Sequence, residues 1–578
     1  SRRNKTSEDY LLGGRKMPWL AVGISCFISL FSTYSLVMVP GEIYNNGLSF
    51  WIIHFFSPIF AILAFMTFIR FYFRLKSFTP FEYLEYRYDH KVRLLCASLY
   101  AYARLIYLAT VLFATSKVFE GGAGWPAWLT ITIVGCTGVL FTVIGGIKAI
   151  IWSDILQFLV VLGGIIVAII ILCLKIDGGF IGAITYAFDH GRGIDKFSDP
   201  EFYLCNPYVR LSFWLLLLGQ LIEPFASGAS DQVTIQRMLS TSSYKNAFKA
   251  MLASNLIAVP MTVVLWFIGL ATFTFYRQHP DPAVQGGDTA FFNFVSTQLP
   301  TPLPGLIIAA MLAAAIAVLT AVLNSLAALW IKEIHLKYIT PGMAEVRQVW
   351  VSKWATGIIG IGAVSMGLFI ACSSDWLGQS VVEAATLFYA FNAIVFPAFL
   401  YAVLSKRANC TLIWICAGIL WGLKCGVLTW FMFSKRAVKI WTEGQPMGLG
   451  GPISSAWVLV PLALFIIAGA IMLWYYRGRR LNDIALAVVL IPFGYTCGTG
   501  LWYIFSRTLI GSQPRELSFL WVELPIAVGF VVLGVVGLYL SKVQPFEKYH
   551  GLILFENKEQ DNRAESGLVD AEQAKPAE

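Results

Sequence analysis

The chain has 578 residues, of which 57% are hydrophobic and only 13% charged. A soluble domain carries about a quarter charged residues, so this composition cannot cover a soluble fold of that size with wetted surface, and most of the chain has lipid as its solvent. The formal net charge of +9 is spread over alternate connections between apolar runs and implies no nucleic-acid partner.

A helix needs about 20 predominantly apolar residues to cross the hydrocarbon core. Runs of that kind predict fourteen transmembrane helices, at 17–39, 49–72, 92–118, 126–145, 150–174, 209–238, 247–275, 304–331, 349–373, 380–404, 410–434, 456–476, 483–506 and 519–540. Spans of a β-barrel would alternate apolar and polar residues over about ten positions, and these do not. The expected fold class is therefore an all-α polytopic membrane protein.

Segment 1–16, "SRRNKTSEDYLLGGRK", reads as a cytoplasmic loop that a further helix would precede. Basic residues then recur at alternate connections: Arg70, Arg74, Lys76 and Arg87, Lys148, Arg237 with Lys245 and Lys249, Lys332 with Lys337, Lys406 with Arg407, and Arg477 with Arg479 and Arg480. The intervening loops "GEIYNNGLS" and "EGGAGWP" carry almost none. The positive-inside rule places the basic set and both ends in the cytoplasm, in a multi-pass protein of the plasma (inner) membrane. Lys435, Arg436 and Lys439 run against this pattern locally. The polar, acidic stretch 541–578 reads as a disordered cytoplasmic tail.

Two outer segments, "GGFIGAITYAF" and "DTAFFNFVSTQL", are expected to form short helices at the membrane surface. The ten cysteines lie mostly inside apolar runs as small core residues. Their spacing suggests no metal site.

Two spans carry polar and helix-breaking residues at depth. The first, "AVGISCFISLFSTYSLVMVPGEIY", holds Ser29, Ser32, Thr33, Tyr34 and Ser35 near its middle. The sixth, "LLLLGQLIEPFASGASDQVTIQR", is interrupted by Glu223, Pro224, Gly228 and Asp231. Such clusters fit unwound helices whose freed carbonyls bind ions or substrate, and numbers one and six are equivalent in a five-plus-five arrangement. Two further features are ionisable residues within spans, Arg104 in the third and Glu223 in the sixth, where charges face a cavity or a partner. Arg104 suits a carboxylate ligand; pairing with Glu223, or snorkelling to the interface, is the structural alternative.

Four motifs resemble those of the sodium/solute symporters, a family of sugar, proline and sialic acid carriers. "TSEDYLLGGRKMPWLAVGISCFIS" is similar to the family's Y-x-x-x-G-R-x-x-P-W-W-A-x-G-x-S entry, and "GGIKAIIWSDILQFLVVLGG" to its G-G-x-x-A-V-x-W-T-D-x-x-Q motif. "SDQVTIQRMLS" resembles D-Q-x-x-x-Q-R-x-L, and "AAAIAVLTAVLNSL" an alanine-rich helix ending in L-N-S. The resemblance covers about residues 1–407. It implies a LeuT-like inverted-repeat core, with repeats at 17–174 and 209–404, extra helices at 410–540, and alternating access driven by a sodium gradient.

The resemblance also implies site residues. The main sodium site would use carbonyls of Ile28, Phe31 and Ala314, with two adjacent hydroxyls on the alanine-rich helix. Aligned on L-N-S, those hydroxyl positions fall on Ala317 and Val318, whose side chains offer no oxygen, so the sodium site is expected to be degenerate. Asp154 matches an acidic residue on the ion exit path. Ser32, Thr33, Tyr34, Ser35, Ser227, Tyr389 and Asn392 fall in the substrate region, together with Arg104 and Glu223. Ser227 stands where sugar carriers place an aromatic gate.

Three functional readings follow. The first is cation-coupled symport of a small organic solute: a sugar, amino acid or carboxylate. The second keeps that fold but couples to H+ through Glu223 or Asp154 instead of Na+, or is uncoupled. The third is a non-transporting sensor or regulatory membrane protein. An enzyme is not expected, since no nucleophile–base pair, metal cluster or phosphate loop occurs. The partners expected are the solute and the lipid bilayer, with the oligomeric state left open.

Overall fold

The computed structural model describes residues 6–49, 52–204, 212–282, 284, 286–377, 395–442, 463, 466–467, 470–471, 483–509, 524–545 and 552–553. The chain divides into two compact units, Ser1–Thr79 with Tyr100–Tyr389, and Pro80–Leu99 with Ala390–Glu578. Among the described residues the regular elements are helical.

The first unit contains α1 (Ser7–Leu12), α2 (Trp19–Ile28), α3 (Thr33–Asn46), α4 (Ser57–Arg74), α7 (Ala127–Lys175) and α8 (Gly179–Ala187). It continues with α9 (Phe213–Ser230), α10 (Gln232–Leu239), α11 (Tyr244–Gln278), α12 (Gly287–Gln298), α13 (Leu303–Leu329) and α14 (Glu345–Leu377). The second unit contains α5 (Phe81–Arg87), α15 (Val395–Leu404), α16 (Cys410–Thr442), α17 (Asp483–Leu509) and α18 (Leu524–Leu540), and the division falls inside α6 (His90–Ala123).

Seven helices among the described residues are long and apolar enough to cross a membrane: Ile52–Arg74, His90–Glu120, Ala127–Lys175, Tyr244–Gln278, Leu303–Ile339, Glu345–Cys372 and Cys410–Val427. Their outward faces explain the apolar composition. On α7, Leu140, Ile144, Leu156 and Ile170 are exposed, whereas Gly138, Thr142, Asp154 and Val161 are buried. An exposed apolar stripe of that length is a liability in water and the ordinary solvent face in lipid.

Both interrupted spans are broken, at places that refine the sequence reading. The first gives α2 and α3, with Ser32 in extended conformation (φ −101°, ψ 171°) between them. The second runs helically through Pro224 and breaks at Asp231 (φ −75°, ψ 99°), which caps α10. Loss of one ladder bond at Pro224 is tolerated, whereas the Asp231 carboxylate competes with the ladder by taking the backbone amide of Thr234.

The spans expected at 126–145 and 150–174 form one helical run, α7, bent at Gly146 (φ 64°, ψ −178°). Tyr10 of α1 is seated in that bend, its hydroxyl donating to the Thr142 carbonyl at 3.1 Å. The two outer segments do form helices, α8 and α12. They are more than surface decoration: Ala183, Ala187, Phe291 and Phe294 are buried in the main apolar core of the first unit.

In the second unit α16 and α17 cross at backbone contact. A Cβ on Gly422 would lie 2.0 Å from the Ile491 carbonyl oxygen, and one on Gly494 2.1 Å from that of Ile419. Small residues spaced four apart permit this approach in lipid. Arg87 is buried and donates to the carbonyls of Ala402 and Ser405 at 2.8 and 2.6 Å, closing the end of α15. Within the stretch read as a disordered tail, Leu552 and Ile553 are buried, and the Tyr83 hydroxyl donates to the Leu552 carbonyl at 2.6 Å.

Candidate functional site

The break between α2 and α3 is the natural starting point, because carbonyls at a helix end have no ladder partner. The turn is tight: the Phe31 amide reaches the Phe27 carbonyl at 3.1 Å and the Ile28 carbonyl at 3.2 Å. Beside it runs α13, tied across 278 positions of sequence by the Thr33 hydroxyl, which donates to the Met311 carbonyl at 2.6 Å. Ala314 lies one turn further along α13, followed by Ala317 and Val318.

All five residues of the expected cation site are buried: Ile28, Phe31, Ala314, Ala317 and Val318. The first four share an apolar core with Phe27 and Val161, and Phe158 packs against it. No side-chain oxygen comes from Ala314, Ala317 or Val318. The Thr320 hydroxyl donates to the Ala317 carbonyl at 3.0 Å, and the Ser325 hydroxyl to the Ala321 carbonyl at 3.0 Å, so both are turned back onto their own helix.

Two hydroxyls do flank the break. Ser29 donates to the Cys26 carbonyl at 2.9 Å and Thr33 to Met311. A hydroxyl whose proton is spent on a carbonyl keeps its lone pairs for another partner, and both are buried. Ser32 is buried as the N-cap of α3, its carbonyl accepting the amide of Ser35 at 2.9 Å. Ser35 is half-buried. Tyr34 lies in the first turn of α3, but its side chain is outside the described set.

One turn before the break a buried ionic network joins three helices. The Ser25 hydroxyl of α2 donates to Oδ2 of Asp154 on α7 at 2.5 Å. Arg237 of α10 donates through Nε to the Ser25 hydroxyl at 2.8 Å and through Nη2 to the same Asp154 oxygen at 3.4 Å. Asp154 and Arg237 are 0% and 1% exposed. A buried pair this far from water holds only when its partners complete each other, yet Oδ1 of Asp154 has no hydrogen-bond partner. Asp154 was named through the resemblance; Ser25 and Arg237 were not read as its partners.

A second network is centred on Asp231. Its Oδ1 accepts from the Tyr100 hydroxyl at 2.7 Å and from Nη2 of Arg104 at 2.5 Å, while Oδ2 accepts from the Thr234 hydroxyl at 2.7 Å. Arg104 also donates through Nε to Tyr100 at 3.2 Å. The sequence reading offered Arg104 a solute carboxylate or Glu223; the Glu223 side chain lies outside the described residues, and the structure adds Asp231 as a carboxylate that Arg104 pairs with. The local signal for this was present, an aspartate three residues ahead of a threonine at a helix start. Ser227 is half-buried within α9, its carbonyl accepting the Asp231 amide at 3.0 Å. The Glu223 side chain, Tyr389 and Asn392 lie outside the described residues.

Comparisons with known proteins give the family and the fold. The sodium:solute symporter family model matches residues 10–426. The chain is 26% identical over 418 residues to the sodium/sialic acid symporter SiaT of Proteus mirabilis, covering 71% of this chain and 82% of that protein. It is 28% identical over 389 residues to the sodium-dependent multivitamin transporter of Oryctolagus cuniculus, covering 65% of this chain and 58% of that one. It is 25% identical over 414 residues to the human sodium-coupled monocarboxylate transporter 1, covering 70% and 65%. A solved, substrate-bound, outward-open structure of a Na+-coupled sialic acid symporter superposes with a TM-score of 0.65 at 22% identity, over 89% of this chain and 94% of that one. That likeness is one of fold.

Proposed function

The chain belongs to the sodium:solute symporter family, and on that premise we propose that it is a secondary active transporter carrying a small organic solute across a membrane by cation-coupled symport. Transport of this kind needs two gated states and an ion whose binding biases them. The observation that carries the reading is the α2–α3 break held against α13 by Thr33 and Met311. It sets the Phe31 carbonyl at the broken end of α2 beside the charge-free face of α13 that carries Ala314, Ala317 and Val318, with Ser25 and the Asp154 carboxylate one turn back along α2.

Sodium is the coupling ion in this reading. The carbonyls of Ile28, Phe31 and Ala314 contribute oxygens, and Thr33, whose proton is committed to Met311, supplies the hydroxyl oxygen that Ala317 and Val318 do not. Ser32 and Ser35 beside the break, with Tyr34, Ser227, Tyr389 and Asn392 from the resemblance, are the solute contacts. The solute is a sugar, an amino acid or a carboxylate. Arg104, which also positions α10 through Asp231, and Glu223 remain solute contacts in this reading.

The finer architecture is part of the same proposal: fourteen transmembrane helices, inverted repeats at 17–174 and 209–404, additional helices at 410–540, and both ends in the cytoplasm of the plasma (inner) membrane. The two broken helices, equivalent in such repeats, support it, as does the alternation of basic connections.

One observation favours proton coupling instead. Oδ1 of Asp154 is buried without a partner, as suits a carboxyl that takes up and releases a proton. Uptake into proteoliposomes, with a sodium gradient, a proton gradient or neither, against sugars, amino acids and carboxylates, tests both. Sodium-driven uptake of a solute supports the first reading. Uptake driven only by protons, and lost in Asp154→Asn, replaces it with the second.

A further inference from the structure

At the far end of α3 from the Ser25 network, two arginines meet over one ring. Helix α11 runs alongside α2 and α3 in the same direction: Gly23 packs on Ala250 and Ala253, and Gly269 on Pro40 and Ile43. With 1.5 Å rise per residue, the nineteen positions from Ala250 to Gly269 separate those contacts by roughly 28 Å. The end carrying Tyr44, Phe273 and Arg277 is therefore opposite the end where Met17 donates to the Ser240 carbonyl. On the orientation proposed above, it is the outer end.

There the loop after α8 is strapped to α3. The Leu48 amide donates to the carbonyls of Arg192 and Gly193 at 3.1 and 3.0 Å, and Nε of Arg192 donates to the Tyr44 carbonyl at 2.8 Å. This brings the Arg192 guanidinium to 4.5 Å from the centroid of the Phe273 ring. The Arg277 guanidinium lies 5.3 Å from the same centroid. The two positive groups are thus no more than about 10 Å apart.

Neither has a carboxylate within ion-pair distance among the described residues. Stacking on Phe273 accounts for each arginine singly, and the end of α11 favours a cation at Arg277. Neither accounts for placing like charges together. Burial, and then the charge of Arg277, hold the Arg192 guanidinium below its ordinary pKa.

Two tyrosines complete the cluster. Tyr44 packs edge-on against Phe273 and feels both arginine charges. Tyr276, 6% exposed, has a buried hydroxyl with no hydrogen-bond partner, and its electrostatic neighbours are Tyr44 and Asp281. Asp281 bears on Tyr276, and its Oδ2 accepts from Asn293 at 3.5 Å. Around Phe273 there are therefore two guanidiniums with no carboxylate at ion-pair distance among the described residues, while Asp281 bears on Tyr276 instead.

We propose that Arg192 and Arg277 hold a small monovalent anion at this end of the transporter. Two sources share that chemistry: the carboxylate of an approaching solute, and free chloride. Guanidinium groups donate to carboxylates through paired N–H bonds, and an uncompensated positive patch raises the local concentration of an anionic solute before it reaches the membrane interior. No side chain of the cation site or of the Asp154 network takes part.

Arginine modification by phenylglyoxal, read residue by residue by mass spectrometry on the full chain in detergent, tests the site. Sodium is held constant and HEPES is the only other anion. Sodium benzoate should slow labelling of Arg192 and Arg277 in parallel, by about threefold or more, leave exposed Arg407 unchanged, and be matched by no effect of benzamide. Chloride protecting both arginines equally identifies a free halide as occupant; protection by benzoate alone identifies a carboxylate. Absence of protection, protection of one arginine only, or equal protection by benzamide overturns the proposal. In Arg277→Gln, an exposed position, benzoate protection of Arg192 should be lost, and full retention also overturns it. Because labelling is the readout, failure here leaves the symport reading untouched, and failed uptake leaves this site untouched.

Discussion

The Ser25 hydroxyl donates to the carboxylate of Asp154 across 129 positions of sequence, and Arg237 reaches both groups from a third helix. The three residues pin α2, α7 and α10 together one turn from the α2–α3 break. Any movement of α2 relative to α7 has to stretch or exchange these bonds, so the network sits where a conformational cycle would feel it. Asp154→Asn leaves Arg237 buried opposite a neutral amide. Breaking one side of a buried pair costs about 3–5 kcal/mol, so the melting temperature in detergent should fall clearly and uptake should be lost. Asp154→Ala with Arg237→Met removes both charges and should recover most of the melting temperature. Uptake should stay absent in the double variant; transport at the wild-type rate would show that the pair is structural only.

Thr33 is the side chain on which sodium coupling is argued to depend. Thr33→Val keeps the shape, removes the bond to Met311, and should cost about 1 kcal/mol of stability. Loss of a cation ligand is a separate effect, read as a rise of at least about tenfold in the sodium concentration for half-maximal uptake, equivalent to 1.4 kcal/mol. Val318→Ser in that background restores an oxygen to the alanine-rich helix and should bring the half-maximal concentration back down. If Thr33→Val leaves sodium dependence unchanged, Thr33 is a packing residue and the cation is held elsewhere.

Arg104 and Asp231 form the second ionic link, with the Arg104 side chain 13% and Asp231 2% exposed. Their partnership predicts strong non-additivity. Arg104→Gln and Asp231→Asn should each lower the melting temperature, while the double variant should cost less than the sum, by a coupling of about 0.5–3 kcal/mol. Discrimination between carboxylate and neutral solutes should weaken in Arg104→Gln if that variant still transports. Discrimination at the wild-type level would leave Arg104 a positioning residue only.

The membrane class and the two broken helices were legible because each depends on local features, run length and helix-disrupting residues at depth, whereas Asp154 was named only through the resemblance. Its partners were not legible. Ser25 is one small polar residue in "AVGISCFIS", and nothing nearby says that an arginine from 212 positions away will reach it. Arg237 was read as a basic residue marking the cytoplasmic side and as the arginine of the D-Q-x-x-x-Q-R-x-L motif, not as a buried partner of Asp154, although it is 1% exposed. Of the four residues read as interrupting the sixth span, the break falls at Asp231 and not at Pro224, because the Asp231 side chain offers the backbone an alternative partner. The close crossing of α16 and α17 was written in Gly418, Gly422, Gly494 and Gly498, a four-residue repeat that span counting passes over.

Gly146 divides α7, and its backbone explains why glycine is needed there. Its φ of 64° with ψ of −178° belongs to a region essentially closed to other residues, costing about 1–3 kcal/mol. A Cβ at that position would also lie 2.7 Å from the Tyr10 ring and 3.0 Å from the Tyr10 carbonyl oxygen. Gly146→Ala should therefore lower the melting temperature markedly, and Tyr10→Ala should not rescue it, because the strain is in the backbone and the carbonyl contact remains. Gly163, seventeen residues on in the same helix, provides the control. It is helical, and a Cβ there meets nothing within 4 Å. Replacing a helical glycine by alanine removes a cost of about 1 kcal/mol, so Gly163→Ala should be neutral or raise the melting temperature. Thermal unfolding of both variants in one detergent separates the cases: equal loss in the two would mean that α7 tolerates no change anywhere, and equal tolerance would mean that the bend at Gly146 is not required.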